Sequence, residues 1–311
     1  MLPATPGQLD RRANVYYWAV IKTGPMATTI KGGFSQFAAN LEITALQSTT
    51  TSTRQQNVRD AVAAGFTVLD SFLAGSYARS TMIGPLKEAD IDIMVVLDAS
   101  YFGQHTPATL LAKLRAVLLR TYSTTPKVSP NGQAVTINFT DFTVDVVPAF
   151  NRQGGGYLIP DSSMGVWIST NPTIHATTLT AHNATHHGAL VPLIKMMKGW
   201  NRAVGSPFVG FYLELMTAEV LNNVTITDFS SGVRYTLDKG REKIKFKQID
   251  PAGYGGQVNG LRFGTIEDAV ARFTLAYHRA VKAEGYATAN DIRSATDEWR
   301  KIFGDYFPAY G

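Results

Sequence analysis

The chain of 311 residues contains no cysteine, so disulfide bonds and thiolate zinc sites are excluded. It also lacks any run of about eighteen apolar residues, and no transmembrane helix is predicted. Hydrophobic residues make up 45% of the sequence, which is enough for one large core or two lobes. The net charge of +5 is only mildly basic, and triphosphate substrates would explain it as well as nucleic acid would.

Two aspartates stand one residue apart at the start of an apolar segment. Asp90 and Asp92 belong to the stretch ADIDIMVVL (89–97), whose β-branched content and alternation predict a strand. Residues two apart on a strand share a face, so these carboxylates point the same way. They would raise each other's pKa unless a cation lay between them, and Mg²⁺ or Mn²⁺ suits such ligands. A solvent-exposed acidic strand end is the alternative for a lone Asp-x-Asp.

A glycine-serine turn precedes the acid pair. The stretch VLDSFLA (68–74) predicts a short buried segment that ends at Gly75. Glycine lets the backbone approach a phosphate closely, and the Ser76 hydroxyl and nearby N–H groups can surround one. An ordinary turn is the alternative.

A third aspartate lies in a later hydrophobic run. The stretches 134–139 and 142–150 predict two strands with a turn at 140–141, and the second carries Asp145. A buried lone carboxylate needs a partner or a metal. If this strand lies beside that of the acid pair, three carboxylates could surround two metal ions and align a phosphoryl transfer.

These motifs resemble those of the polymerase-beta-like nucleotidyltransferases, in which Gly-Ser, an acid pair and a later third acid follow in this order. Thirteen residues separate Ser76 from Asp90, which fits that pattern. The closer resemblance is to the cGAS/DncV-like branch, which includes oligoadenylate synthetase and the bacterial CD-NTases of CBASS anti-phage systems. It is carried by GSYARST (75–81), VDVVPA (144–149), LIKMMKGWN (193–201), and the pair FYLEL (211–215) and IDP (249–251).

The resemblance implies an α+β fold: a polymerase-beta-like core with a mixed sheet and flanking helices, plus a mainly helical C-terminal lobe. The active site would lie in the cleft between them. We predict an extension or flexible arm over 1–25, the catalytic core with an N-terminal spine helix over 26–165, and the helical lobe over 166–311.

The resemblance also implies site residues. Asp90, Asp92 and Asp145 would be catalytic and would hold two Mg²⁺ (or Mn²⁺) ions, and Asp145 would activate the acceptor hydroxyl. The expected nucleotide-binding residues are Gly75, Ser76, Arg79, Lys195, Lys198 and Tyr212. Of the two lysines, which share a helix face, Lys198 is the one that family position favours for the triphosphate. A solvated basic stripe is the alternative for either lysine, and core packing is the alternative for Tyr212.

The implied function is the joining of NTPs, with ATP expected among them, into a cyclic di- or trinucleotide or short oligonucleotide second messenger. HORMA-like or TRIP13-like regulators and a nucleotide-activated effector are the implied partners, and nucleic acid is not required. A cytoplasmic enzyme is expected. A template-independent RNA or tRNA nucleotidyltransferase and a non-catalytic nucleotide-binding scaffold remain as alternatives.

Periodicity predicts the helices. They are expected at 52–66, 107–121, 178–203, 207–222, 264–284 and 288–303. The run KGREKIKFK (239–247) alternates cations with apolar residues and predicts an exposed strand, with a nucleic-acid-binding groove as the alternative. A metal site at the histidines of 175–187 is disfavoured because no nearby acid accompanies them.

Overall fold

The computed structural model describes residues 27–129, 132–254 and 256–311. The predicted extension at 1–25 lies outside the described residues. The helices are α1 (Ile30–Leu41), α2 (Ala45–Ala63), α3 (Gly75–Ala78), α4 (Pro107–Leu118), α5 (Pro172–Thr185), α6 (Leu190–Ala203), α7 (Gly210–Leu221), α8 (Phe229–Lys243), α9 (Ile266–Thr288) and α10 (Ile292–Phe303). The strands are β1 (Val68–Leu73), β2 (Asp90–Leu97), β3 (Lys127–Val128), β4 (Val135–Asn138), β5 (Thr143–Asn151), β6 (Tyr157–Asp161), β7 (Val166–Thr170), β8 (Gln248–Ile249) and β9 (Gln257–Val258).

A mixed sheet organises the first half of the molecule. Its central order is β1-β2-β5-β4-β3, and β6 and β7 extend it from the end of β5. Strands β2 and β5 run parallel, whereas β1 pairs with β2 and β4 pairs with β5 in antiparallel fashion. The predicted placement of the third-acid strand beside the acid-pair strand is therefore confirmed.

One face of the sheet is covered by helices α2 and α4. Alternate residues of β2 and β5, such as Ile91, Ile93 and Val144, are fully buried against leucines and valines of these helices. The intervening residues of the same strands point to the other face, because side chains alternate along a strand. That second face carries the aspartates.

The second half of the chain is mainly helical and has its own hydrophobic cluster. Trp200 of α6, Phe273 of α9 and Trp299 of α10 are at its centre. Phe34 and Phe37 of α1 pack into the same cluster, so the first helix joins the helical part by packing although it precedes the sheet. Within the described residues, no helix is long and apolar enough to cross a membrane.

Helix α2 begins earlier than the predicted start at residue 52. Thr44 caps it, with its hydroxyl accepting from the N–H of Gln47 and the Gln47 side chain accepting from the N–H of Thr44. The serines and threonines of 49–53 lie inside the helix, and their hydroxyls donate to carbonyls four residues earlier.

Two other predictions are wrong. The predicted helix 178–203 is broken into α5 and α6, since His187 and Gly188 adopt positive φ angles of 51° and 85°. The expected exposed strand at 239–247 is instead the end of α8 and the turn after it. Asp228 caps this helix, and Val233, Leu237 and Gly240 form its buried face at helical spacing.

Candidate active site

The sheet brings the three predicted acids together on one face. In the parallel pairing of β2 with β5, Asp92 lies directly opposite Asp145, and Asp90 lies opposite Thr143. Register partners in a sheet project to the same side. All three carboxylates therefore line one edge of the face that helices α2 and α4 leave uncovered.

Two threonines hold two of these carboxylates. The Thr136 hydroxyl donates to Asp145 Oδ1 at 2.5 Å from the neighbouring strand β4, where the two residues are register partners. The Thr143 hydroxyl donates to Asp90 Oδ1. Sequence reasoning did not assign a role to either threonine, although the alternation of β4 and β5 places both on the acid face.

Of the three aspartates, Asp92 shows the largest rise in pKa. Burial and then the neighbouring charge of Asp145 raise the pKa of Asp92 to about 7, and Asp90 adds to the effect. Arg79 and Lys198 oppose it. Burial also raises the pKa of Asp145, although the Thr136 hydrogen bond counteracts part of the effect. Within the described residues, the Asp92 carboxylate accepts no hydrogen bond that would offset the rise in its pKa.

The acids are a suitable donor set for a hard divalent cation. In the described part of the chain, no three His, Asp or Glu side chains are already arranged as a metal-binding group. However, three like-charged carboxylates on one face repel each other, and a cation between them would remove that repulsion. The threonines bind one oxygen of Asp90 and one of Asp145, which leaves the second oxygen of each for a ligand.

The glycine-serine turn lies directly against Asp92. Gly75 has a φ angle of +58°, and a Cβ atom placed on it would come within 1.7 Å of Asp92 Oδ2. The backbone carbonyl of Ser76 accepts hydrogen bonds from the N–H groups of Thr81 and Met82, which closes the turn. The Ser76 hydroxyl has no protein partner in the described residues and is free to bind a ligand.

A buried ion network lies behind this turn. Glu214 of α7 accepts from Arg79 Nε at 2.7 Å and from Lys198 Nζ at 3.1 Å. Lys198 Nζ also donates to the carbonyl of Thr81 at 2.9 Å. Both cations act on the pKa of Asp92, so the structure brings the predicted residues Arg79 and Lys198 to the acid site. No role was predicted for Glu214.

The other two predicted nucleotide-binding residues lie elsewhere. Lys195 Nζ donates to both carboxylate oxygens of Glu42 at 2.7 Å, at the junction of α1 and α2, and is not brought to the acids. Tyr212 is fully buried, and its hydroxyl donates to the carbonyls of Lys243 and Phe246. Its ring has no exposed face for a base, so the predicted stacking role of Tyr212 is wrong and its alternative, core packing, is correct.

The neighbouring aromatic faces a cavity instead. Phe211 is partly exposed and lines a cavity of about 220 Å³ together with Arg79, His175 and Glu214. The Arg79 guanidinium lies 4.6 Å from the centre of the Phe211 ring. An error of one residue along a helix rotates a side chain by about 100°, and only the helical phase distinguishes the two rings.

The histidines do not form a metal site within the described residues. His175 Nε2 lies 2.6 Å from Asp250 Oδ1, so the ring is committed to a hydrogen bond between α5 and the loop after β8. This acid lies 75 positions from His175 in the sequence, and the sequence argument, which assumed no nearby acid, did not anticipate it.

A mixed sheet with a glycine-serine turn, three aligned aspartates and a helical part that contributes a buried lysine defines a polymerase-beta-like nucleotidyltransferase. The family model for the Second Messenger Oligonucleotide or Dinucleotide Synthetase domain (SMODS) matches residues 26–183. The chain belongs to this family. It is a nucleotidyltransferase of the class that synthesises oligonucleotide or dinucleotide second messengers, and the predicted enzyme class is confirmed.

Two curated relatives of the chain are named as cyclic nucleotide synthases. The chain is 26% identical over 252 residues to the cyclic AMP-AMP-AMP synthase of an Acinetobacter strain, covering 76% of this chain and 72% of the relative. It is 24% identical over 273 residues to a probable cyclic nucleotide synthase of Bacillus cereus, covering 76% and 81%.

Solved structures confirm the fold class. CdnC of E. coli MS115-1, solved in a complex with HORMA-deltaN, superposes with a TM-score of 0.71 at 18% identity, covering 90% of this chain and 98% of that one. The apo form of Vibrio cholerae DncV superposes with a TM-score of 0.64 at 14% identity, covering 89% and 79%. At these identities the likeness concerns the fold alone.

Proposed function

We propose that this protein joins nucleoside triphosphates, ATP among them, into a cyclic di- or trinucleotide or a short oligonucleotide that signals in cytoplasmic anti-phage defence. The alignment of Asp90, Asp92 and Asp145 on one sheet face carries the proposal, and the raised pKa values of Asp92 and Asp145 support a site that binds cations. The names of both curated relatives, which are cyclic nucleotide synthases, support a cyclic product.

In this proposal Asp90, Asp92 and Asp145 would hold two Mg²⁺ or Mn²⁺ ions, which when bound would neutralise triphosphate charge and lower the pKa of the acceptor hydroxyl. Gly75 and Ser76 bind phosphate oxygens, because the missing Cβ of Gly75 lets the turn lie directly against Asp92 and the Ser76 hydroxyl has no partner in the described residues. Arg79 and Lys198 add positive charge behind the turn.

Asp145 is the proposed base. The Thr136 hydrogen bond to Oδ1 orients the carboxylate that takes the proton of the acceptor ribose hydroxyl. Burial raises the pKa of Asp145, which favours proton uptake. The deprotonated oxygen forms a bond to the donor α-phosphorus, the bond to the bridging oxygen breaks, and pyrophosphate leaves. Repetition on the linear intermediate closes a ring.

We also propose a division between a catalytic core and a helical lobe, but place it after Thr170 rather than at 165/166, because β7 pairs with β6 in the sheet. Two hydrophobic clusters, one under the sheet and one among the C-terminal helices together with α1, support this division. A HORMA-like or TRIP13-like regulator and a nucleotide-activated effector complete the proposal, because the structural relative CdnC is solved in complex with HORMA-deltaN.

Incubation with all four NTPs and Mg²⁺ or Mn²⁺, followed by mass spectrometry, tests the proposed product. We expect phosphatase-resistant cyclic products and released pyrophosphate, both abolished by EDTA. An added RNA oligonucleotide provides the discriminating control. RNA extended at its 3′ end with no small product would reject the proposal in favour of an RNA nucleotidyltransferase, and the absence of any product would favour a scaffold.

Phe211 and Tyr212 provide a paired prediction for substrate binding. Phe211→Ala should raise KM for the nucleotide about 5- to 30-fold, since base stacking contributes about 1–2 kcal/mol. Tyr212→Phe removes a hydroxyl that donates to the carbonyls of Lys243 and Phe246. It should therefore lower the free energy of unfolding by about 1–2 kcal/mol and leave KM unchanged. Steady-state kinetics and urea unfolding of both variants check this. A higher KM in Tyr212→Phe together with an unchanged KM in Phe211→Ala would instead assign nucleotide binding to Tyr212.

A further inference from the structure

Glu214 is the carboxylate that pairs with both cations of the buried ion network. Its side chain is 2% exposed, and the side chains of Arg79 and Lys198 are 10% and 13% exposed. Each carboxylate oxygen accepts a hydrogen bond from Arg79, at 2.7 Å from Nε and 3.2 Å from Nη2. Oε1 also accepts from Lys198 Nζ. One carboxylate therefore fixes two cations that are 119 positions apart in the sequence.

The charges of the network explain why the carboxylate is ionised. Burial alone would raise the pKa of Glu214, but Lys198 and then Arg79 bring it down to about 2. Burial in turn lowers the pKa of Lys198, and Glu214 opposes that loss of charge. Without the carboxylate, two like charges would remain close together in a poorly solvated place.

The hydrogen bonds leave a donor free on each cation. Lys198 uses two of its three N–H bonds, for Glu214 and the carbonyl of Thr81. Arg79 uses Nε and Nη2 on Glu214, and among the described residues no acceptor binds its Nη1. The two cations also act on the pKa of Asp92, so they lie within electrostatic range of the acid site.

We propose that Glu214 is a positioning residue that holds Arg79 and Lys198 so that their remaining donors bind the triphosphate of the substrate. This inference rests on the proposed function, which supplies the triphosphate. Two buried cations with one carboxylate leave a net positive charge beside the acids. A fixed bidentate pair keeps the guanidinium in one orientation, whereas a free Arg side chain would have to be ordered on binding.

The variant Glu214→Gln tests this role, because it keeps the size of the side chain and removes its charge. The glutamine amide nitrogen is a donor and cannot accept from either cation. We expect the affinity for α,β-methylene ATP with Mg²⁺, measured by calorimetry, to fall at least 10-fold. In kinetics, KM for ATP should rise by a similar factor with a smaller change in kcat.

Glu298→Gln is the matched control. Glu298 is also buried and also pairs with two cations, Lys282 at 3.0 Å and Lys301 at 2.9 Å, on helices α9 and α10. A purely structural effect of losing such a network would appear as a lower Tm in both variants. Only Glu214→Gln should lose nucleotide affinity. Unchanged or tighter binding by a folded Glu214→Gln protein would overturn the proposal.

Glu214→Asp keeps the test valid if the glutamine variant does not fold. It preserves the charge but withdraws the carboxylate by one methylene, so both cations must shift. A loss of affinity of about 3- to 10-fold is expected, and unchanged affinity would overturn the proposal. Wild-type protein that bound no analogue and made no product would instead overturn the proposed function, and with it the ligand assigned to this network.

Discussion

Asp92→Asn is expected to abolish nucleotide synthesis and, at the same time, to stabilise the metal-free protein at pH 8. The loss of activity should be at least about 1,000-fold, since removal of one carboxylate from a metal site forfeits about 4 kcal/mol of transition-state stabilisation. The gain in stability follows from the strain on this side chain. Burial and Asp145 raise the pKa of Asp92 to about 7, and no hydrogen bond within the described residues offsets this.

The sign of the pH dependence follows from this raised pKa. The folded protein binds the Asp92 proton more tightly than the unfolded chain, in which the ordinary value is 3.8. This tighter proton binding adds to the free energy of unfolding. The added stability is fully present below pH 4 and is lost as the pH rises to about 7. At pH 8 the ionised side chain therefore destabilises the fold, and asparagine should recover up to about 4 kcal/mol in the free energy of unfolding.

Urea unfolding of wild type and variant between pH 4 and pH 8, in EDTA, measures this difference. It should grow with pH and level off above about pH 7. Addition of Mg²⁺ should raise the Tm of the wild type more than that of Asp92→Asn. The control is Asp98→Asn, just beyond the far end of β2, where hydrogen bonds from Ser100 lower the pKa of Asp98 and the change should not stabilise. A pH-independent difference, or a variant that is less stable at pH 8, would contradict the electrostatic account.

The aspartates were predictable because their signals are local. Alternation along β2 places Asp90 and Asp92 on one face, and the isolated acid in the next hydrophobic run marks Asp145. Their direct alignment depends on strand order and register, which the sequence alone did not contain. The predicted neighbourhood of the two strands came from the chemistry that a lone buried carboxylate requires.

The missed residues share a different property. Glu214 acquires its role through contacts with Arg79 and Lys198, which are 135 and 16 positions away in the sequence. No local sequence pattern predicts such a pairing. Phe211 and Tyr212 are adjacent aromatics, and only packing decides which of them is buried. The wrong strand at 239–247 arose because its short alternation of cations and apolar residues concealed the longer helical period of α8, which starts at its Asp228 cap.

Gly75→Ala is expected to reduce synthesis at least about 100-fold. The φ angle of +58° already disfavours alanine by about 1–2 kcal/mol. In addition, the new methyl group would come within 1.7 Å of Asp92 Oδ2, so either the turn or the carboxylate must move. A displacement of about 1 Å at a reacting centre is enough to lower a rate by about 100-fold.

The matched control separates backbone strain from the clash with the carboxylate. Gly188 also has a positive φ angle, of 85°, but an added Cβ would meet no atom within 4 Å. Gly188→Ala should therefore lower the free energy of unfolding by about 1–2 kcal/mol and leave kcat unchanged. If the two variants lost equal stability while Gly75→Ala kept its activity, the close contact between this turn and Asp92 would have no part in catalysis. A selective loss of kcat in Gly75→Ala would show that the missing Cβ is what lets the phosphate-binding turn and the acid site occupy the same place.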